Sequence, residues 1–385
     1  MIKLTRMISA IALLAAGAAL GGNAQTIPTP AAAEEASGPA AASAPDPVGW
    51  KLGPFDVSGM VDGFYSLNFN HPADHVNELQ NFDDRGNRME LNMATLSVDL
   101  APKPVGFHLN AGGGRAFDIM GATEKAATGM RFFEEAYVDV KPAAWKGLEL
   151  DFGKFGSWAG AEVIDTPSNW NYSRSLLFVW CAPYYHFGVR ASAPAGKKFT
   201  TGVQLVSGWS NIVTDATYKT VGLTGAWTPT SKVTWTNTYY GGPDENSANR
   251  GLRNLYDTVL QLAPSAKTTF YLNLDYLHDS PEHTPGYTVG GIAGAARFQL
   301  TPKLSLSPRL EWLDDGSGMA TGTRQQVKEF TTTGTYALMD RLSAWVEFRN
   351  DWSNQPLFNR GNGIGVSQTQ PILVFGMVAI LRPKK

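Results

Sequence analysis

Leu304-Ser-Leu-Ser-Pro-Arg-Leu-Glu-Trp-Leu313 is the stretch that decides the architecture of this chain. Leu304, Leu306, Leu310 and Trp312 fall on one side of an extended backbone, and Ser305, Ser307, Arg309 and Glu311 on the other. A strand with a purely apolar face and an opposite face carrying charge separates oil from water. The stretch 342–352 repeats the pattern. Leu342, Ala344, Val346 and Phe348 alternate with Trp345, Glu347, Arg349 and Asp351. An Arg or Lys on the lipid side near the bilayer midplane costs about 2–4 kcal/mol, so the charged face must point to a wet interior. A dry core would have to pair every one of those charges.

Working outward, the same period of two recurs along most of the chain. At the first of these segments Val57, Val61, Tyr65, Leu67 and Phe69 alternate with Ser58, Asp62, Ser66, Asn68 and Asn70. Segments of this kind fall near 57–70, 88–101, 105–116, 131–141, 147–156, 185–194, 199–210, 218–228, 232–242, 253–263, 268–278, 287–300, 304–313, 325–338, 342–352 and 367–381. That makes sixteen strands, each long enough to cross a bilayer when tilted. Short turns bearing proline recur between them, at Ala101–Pro104, Lys141-Pro142, Ala193-Pro194, Thr228-Pro229, Ala263-Pro264 and Thr301-Pro302, followed by Met339-Asp340-Arg341. Longer Gly-, Asn- and Asp-rich loops alternate with the turns, for example His71–Asn87, Gly241–Asn249, Asp279–Gly286, Asp314–Thr323 and Ser353–Gly365. Short turns on one side and long loops on the other are the asymmetry of an outer-membrane barrel. The fold class expected is therefore all-β, a transmembrane antiparallel barrel.

Composition agrees. Charged residues are 17% of the 385-residue chain and hydrophobic residues 43%, with 40 Gly, 11 Trp, 13 Tyr and 19 Phe. Soluble domains carry about 25% charge. No apolar run after the N-terminus reaches the roughly 18 residues of a spanning helix. A net charge of −2 gives no basic surface for nucleic acid. Cys181 is the only cysteine, so no internal disulfide can form, and its expected role is a small buried apolar side chain. At the start, Lys3 and Arg6 precede the apolar stretch Met7–Leu20 and a small-residue site at Gly22-Asn23-Ala24, the pattern of a cleavable export signal over 1–24. Residues 25–50 are rich in Ala and Pro and read as a disordered periplasmic tail, leaving 51–385 for the barrel. The last strand, Ile372–Leu381, is apolar on both faces, which implies that one face packs on protein, either a neighbouring subunit or the N-terminal tail.

One stretch breaks the series. Phe155–His186 spans roughly 30 residues, and loops beyond about 15 are usually functional. It is dense in aromatic rings yet carries Glu162, Asp165 and Arg174. Burying such rings is worth roughly 1.5–3 kcal/mol each, so the loop is expected to fold into the lumen.

At this point the chain resembles the OmpL-like β-barrel porin-2 family of bacterial outer-membrane proteins. The residues that carry the resemblance are Gly59-Met-Val-Asp-Gly-Phe-Tyr-Ser-Leu-Asn-Phe-Asn70, Asn87-Arg-Met-Glu-Leu-Asn-Met-Ala94, Gly153-Lys-Phe155, Glu162-Val-Ile164, Asn171-Tyr-Ser-Arg-Ser175, His186-Phe-Gly-Val-Arg190 and Glu347-Phe-Arg-Asn-Asp351. The resemblance runs from about Val57 to the end and implies a pore-forming barrel with no stated substrate. Counted from the N-terminus, 155–186 is the third external loop, the one that general porins fold inward as a constriction, and trimeric assembly is expected by the same analogy.

Candidate constriction and lumen residues are then Glu162, Asp165 and Arg174 on the loop, facing Arg88, Glu90, Arg190, Arg297, Arg309, Glu311, Glu347 and Arg349 on the wall. Rings of charge select solutes by sign. The competing reading is that these charges pair with one another and only hold the loop. Arg190, Arg297, Arg309 and Arg349 could form a basic stripe, but Glu90, Asp151, Glu311 and Glu347 oppose it, so the sign stays open. No metal or cofactor is expected. His71-Pro-Ala-Asp-His75 and His278–His283 read as hydrated loops, Asp314–Gly318 reads as a turn, and Gly112–Arg115 lacks the helix of a phosphate loop. Two other classes remain open: a barrel enzyme acting on lipid, for which Ser173, Ser175 and His186 are the only imaginable set without a Gly-x-Ser-x-Gly elbow, and an adhesin or structural barrel with a plugged lumen. The expected partners are small hydrophilic solutes or ions and outer-membrane lipid.

Overall fold

A computed structural model describes residues 50–122, 124, 129–214, 216–243, 251–280 and 285–381. The expected export signal and all of the expected tail except Trp50 lie outside these residues, as do parts of the loops at 241–249 and 279–286. Among the described residues, sixteen antiparallel strands close into a barrel. They are β1 (Phe55–Asn68), β2 (Arg88–Leu100), β3 (Val105–Gly113), β4 (Phe133–Val140), β5 (Glu149–Gly156), β6 (Tyr185–Pro194), β7 (Phe199–Val206) and β8 (Thr220–Thr230). There follow β9 (Val233–Pro243), β10 (Leu252–Ser265), β11 (Thr268–Ser280), β12 (Tyr287–Gln299), β13 (Leu304–Asp315), β14 (Gln325–Met339), β15 (Leu342–Ser353) and β16 (Thr369–Leu381). Each strand pairs with its sequence neighbour, and β16 closes on β1 from Ile372↔Asn68 to Leu381↔Gly59. Closure leaves no unpaired edge, which a lipid environment demands. A short strand, Trp50–Leu52, folds back on the start of β1. A separate hairpin, Phe358–Arg360 with Gly363–Ser367, stands in the loop before β16.

The alternation sorts side chains as its period requires. Along β13, Leu306 and Leu310 are exposed while Ser305, Ser307, Arg309 and Glu311 are buried. Along β15, Val346 and Phe348 are exposed while Trp345, Glu347, Arg349 and Asp351 are buried. Exposed aromatics gather at both ends of the wall. Phe199, Trp227, Trp235 and Tyr336 stand near the short turns, and Tyr239, Tyr276 and Trp352 near the long loops. Two such girdles flanking an apolar band mark the two faces of a bilayer. Among the described residues, no helix is long and apolar enough to cross a membrane.

Three expectations change in detail. A short helix, Arg115–Met120, follows Gly112-Gly-Gly, where none was expected. The prolines expected to form turns at 194, 229 and 264 sit inside the ends of β6, β8 and β10. The ladder register slips beside Pro229 and Pro264. Proline donates no ladder bond, so a bulge at the strand end accommodates it and the turn itself moves to the next residues. One face of the last strand does pack on protein, but the partner lies within the barrel. Ile372, Val374 and Val378 join a buried cluster with Trp345 and Tyr172, while Phe375 and Met377 remain exposed outside.

Candidate functional site

The site is the lumen, and the segment 157–184 between β5 and β6 fills much of it. Its local shape follows from short-range bonds. Asn169 ties both ends of one turn, accepting from Val163 N at 3.0 Å and donating to Val163 O at 2.8 Å. Ser175 then caps helix α1 (Leu176–Trp180), its Oγ accepting from Phe178 N at 3.0 Å. The cap satisfies an orphan amide that would otherwise face the lumen bare.

Backbone amides of the segment meet carboxylates of the wall and of the segment itself. Tyr172 N and Ser173 N donate to Glu347 at 2.6 and 3.0 Å, and Ser175 N donates to Glu162 at 2.6 Å. Arg309, fully buried, reaches Glu162 at 2.6 Å, Glu311 at 2.9 Å and Glu329 at 3.1 Å, and donates to Ser173 O at 2.8 Å. Arg349 pairs with Asp351 at 2.9 Å and donates to Arg174 O at 2.8 Å. Arg174 is consumed within its own segment, donating to Val163 O at 2.9 Å, to Thr166 Oγ1 at 3.2 Å and to the carbonyls of Ile164 and Tyr172. Asp62 on β1 accepts from Tyr172 Oη at 2.7 Å and from Thr166 Oγ1 at 2.6 Å.

Close backbone approach fixes the fit at two glycines. A Cβ on Gly376 of β16 would lie 2.4 Å from the Tyr172 ring. One on Gly291 of β12 would lie 2.7 Å from the Leu177 side chain. Only glycine leaves room for the segment there. Cys181 sits buried in the apolar cluster that α1 forms with β9–β14, in the inert role expected of it.

A second loop also turns inward, and sequence reading missed it. Residues 71–87 read only as one of the long external loops, yet Asn77, Leu79, Gln80, Asn81, Phe82 and Asp83 are buried. Phe82 stacks edge-on against Phe178 at 6.0 Å, and Asn77 donates to Ser66 of β1 at 3.0 Å. Burial pushes the Asp83 carboxyl up to about 7, with Arg349 and Arg174 holding it lower and Glu347 pushing it higher. Leu79 and Phe82 are apolar residues in an otherwise polar loop, the one signal that could have revealed this.

On the opposite side the segment does not close against the wall. A cavity of about 330 Å³ separates 156–165, Phe178, Pro183 and Tyr184 from strands β3 to β6. Its wall carries Glu134, Glu135, Tyr137, Glu149, Asp151 and Arg190. Arg190 bonds Asp151 at 2.5 Å and lies over the rings of Phe155 and Tyr137 at 4.4 and 5.1 Å. Asp165, from the segment, lines the same space. Its carboxyl is pushed up to about 6 by burial and by Glu135, against the pull of Arg174.

The sequence-derived candidates therefore separate into groups. Glu162, Arg174, Arg309, Glu311, Glu347 and Arg349 gather where the segment meets β13–β15. Asp165 and Arg190 meet at the cavity, which Glu162 also borders. Arg297 lies half-buried on the inner face of β12, paired across strands with Thr269. Arg88 is exposed and Glu90 half-buried at the start of β2, on the inner face opposite Ser66 and Phe64. The four arginines do not form one stripe. Glu134, Glu135 and Tyr137 were not singled out, because consecutive glutamates in a strand hide which of them faces inward. Ser173 and Ser175 are engaged with Arg309 and with the cap of α1, and His186 bonds Gly208 O at 2.9 Å, so the three do not form a nucleophilic set. No metal-binding group of His, Cys, Asp or Glu occurs among the described residues.

With this geometry in hand, the comparisons with known proteins are direct. The family described as "Putative beta-barrel porin-2, OmpL-like" matches residues 54–381. No curated protein sequence matches the chain. Among solved structures, an anion-selective porin from Comamonas acidovorans is similar with a TM-score of 0.60 at 9% identity, covering 85% of this chain and 99% of that one. The outer membrane channel DcaP of Acinetobacter baumannii is similar with a TM-score of 0.58 at 9% identity, covering 87% of this chain and 100% of that one. The trimer form of OmpT, an outer membrane protein of Vibrio cholerae, is similar with a TM-score of 0.55 at 9% identity, covering 85% and 98%. At these identities the likeness is one of fold.

Proposed function

The chain belongs to the OmpL-like beta-barrel porin-2 family, and from that premise we propose that it is a passive diffusion channel for small hydrophilic solutes across the bacterial outer membrane. The observation that carries this reading is the cavity beside the segment 157–184, walled by charged and polar groups inside a barrel whose outer face is apolar. Water and solute follow that space, and the segment sets its width. A passive channel makes and breaks no bond, so the charges act by screening and steering.

Planar-bilayer recording of the purified, refolded barrel tests this. Discrete conductance steps are expected. A barrel whose folding is proven by heat-shifted gel mobility but which gives no steps overturns the reading. Removing Thr166–Ala182 is expected to raise the single-channel conductance, and an unchanged value would separate the segment from the constriction. Liposome swelling with sugars, amino acids and organic anions then ranks the solutes.

A plugged structural barrel is the second reading. The buried packing of both 157–184 and 71–87 within the lumen favours it. Trimeric assembly remains part of the proposal, and cross-linking in detergent checks it.

A further inference from the structure

We propose that the cavity between the inward segment and β3–β6 selects small cationic solutes, with Glu134, Glu135 and Asp165 setting the sign. This rests on the channel reading and assigns its substrate class.

The lining supplies the first argument. Six carboxylates border the cavity, from Glu134, Glu135, Glu149, Asp151, Glu162 and Asp165, and Arg190 is the single cation among its lining residues. Three carboxylates have ion-pair partners: Glu162 with Arg309 at 2.6 Å, Glu149 with Lys141 at 3.3 Å and Asp151 with Arg190 at 2.5 Å. Lys154 is nearby, but its ammonium donates to Phe133 O at 2.6 Å and lies over the Tyr185 ring at 3.8 Å. Glu134 and Glu135 accept only neutral donors, from Asn110 at 3.0 Å and Gly156 N at 3.0 Å. The net charge facing the solute is therefore negative, and a ring of like charge admits the opposite sign.

The second argument is independent of the count. Asp151 is 5% exposed and lines the cavity, yet its Oδ1 has no hydrogen-bond partner among the described residues. Buried carboxylate oxygens without protein donors are costly unless positive charge reaches them. The cavity, which Asp151 lines, is the space from which a mobile cation reaches that oxygen. The third argument is the wall's treatment of its own cation. Arg190 is held between a carboxylate and the faces of Phe155, Tyr137 and Trp158, the arrangement that recognises guanidinium and ammonium groups.

The test is the reversal potential of the full-length barrel in a potassium chloride gradient. The wild type is expected to prefer potassium over chloride. The variant Glu134→Gln, Glu135→Gln, Asp165→Asn is expected to bring the permeability ratio towards or below one, while Asp340→Asn at an exposed turn leaves it unchanged. If the triple variant fails to fold, Glu135→Gln alone is expected to move the ratio in the same direction. Swelling of proteoliposomes in arginine is expected to exceed that in glutamate. A conducting wild type that prefers chloride, a folded triple variant with an unmoved reversal potential, or swelling in glutamate equal to or faster than in arginine overturns the assignment and leaves the channel standing. A folded barrel with no conductance overturns both.

Discussion

Where the inward segment meets β13, β14 and β15, charge is matched to charge at contact distance. Arg309 sits among Glu162, Glu311 and Glu329, Glu347 receives two backbone amides, and Arg349 bridges Asp351 to Arg174 O. Where the same segment faces β3–β6, a cavity intervenes, and Glu134, Glu135 and Asp165 border it without an ion pair at contact distance. The residue types are the same on both sides. The difference is whether a second element packs close enough to exclude solvent. In the excluded region a charge works as a latch, because a lone buried charge is so costly that its partner cannot leave. In the open region the charge remains available to a passing solute.

The largest effect should come from breaking the latch. Arg309→Met leaves Glu162, Glu311 and Glu329 uncompensated and is expected to cost about 3–5 kcal/mol. Urea unfolding of the barrel in lipid vesicles measures it, and a rise in conductance would show the segment swinging free. Arg190→Met should cost distinctly less, since its partner Asp151 borders the cavity and one carboxylate, not three, loses its cation. Equal losses at the two sites would erase the contrast.

Next comes Glu347→Gln, which keeps the shape but weakens two amide bonds to the segment. A loss of about 1.5–3 kcal/mol is expected by the same unfolding measurement. Gly376→Ala probes the packing of the latch without touching charge. Its Cβ would meet the Tyr172 ring, and an overpacking cost of about 1–3 kcal/mol is expected. An unfolding midpoint equal to wild type would mean that Tyr172 yields easily.

The smallest stability effect belongs to the open side. Glu135→Gln should stay within about 0.5 kcal/mol of wild type, as substitutions away from buried networks do. A larger loss would place Glu135 among the latch residues.

Acidity sharpens the same contrast. Asp165, faced by Glu135, Asp62 and Arg174, titrates near 6, and Asp83, faced by Arg349, Glu347 and Arg174, near 7. Both carboxyls lie above their ordinary value when folded. Their neutral forms therefore favour the docked loops at low pH, and that contribution is lost as pH rises through about 6 to 7. Weaker hydrogen-exchange protection of 77–83 at pH 8 than at pH 6, after division by the intrinsic rate at each pH, is expected, and Asp83→Asn should remove that difference in protection. Over the same window, cation preference should weaken on acidification as Asp165 loses its charge.

Much of the wall was legible because its physics is local. Period two, the sixteen strands and the inner and outer sets at 57–70, 304–313 and 342–352 reappear as read. The apolar inner face of 372–381 was legible as a packed surface, but its partner was misplaced, because a one-dimensional pattern shows that a face is covered without showing by what. Asn77–Asp83 was not recognised as buried for a related reason. Polar residues look alike in water and in a saturated hydrogen-bond network. Nor could Arg309 and Arg190 be told apart as latch and lining, since each is an arginine facing inward on a strand.

The sequence by itself determined that this chain makes a closed wall, oil outside and charge within, because side-chain alternation along a strand is fixed by the backbone and the penalty for a charge in lipid is large. Only the tertiary structure decided which inward charges are spent holding the segment 157–184 and which are left facing the cavity. That choice depends on contacts between residues more than a hundred positions apart, such as Glu162 with Arg309, and no local pattern encodes how closely two distant surfaces meet.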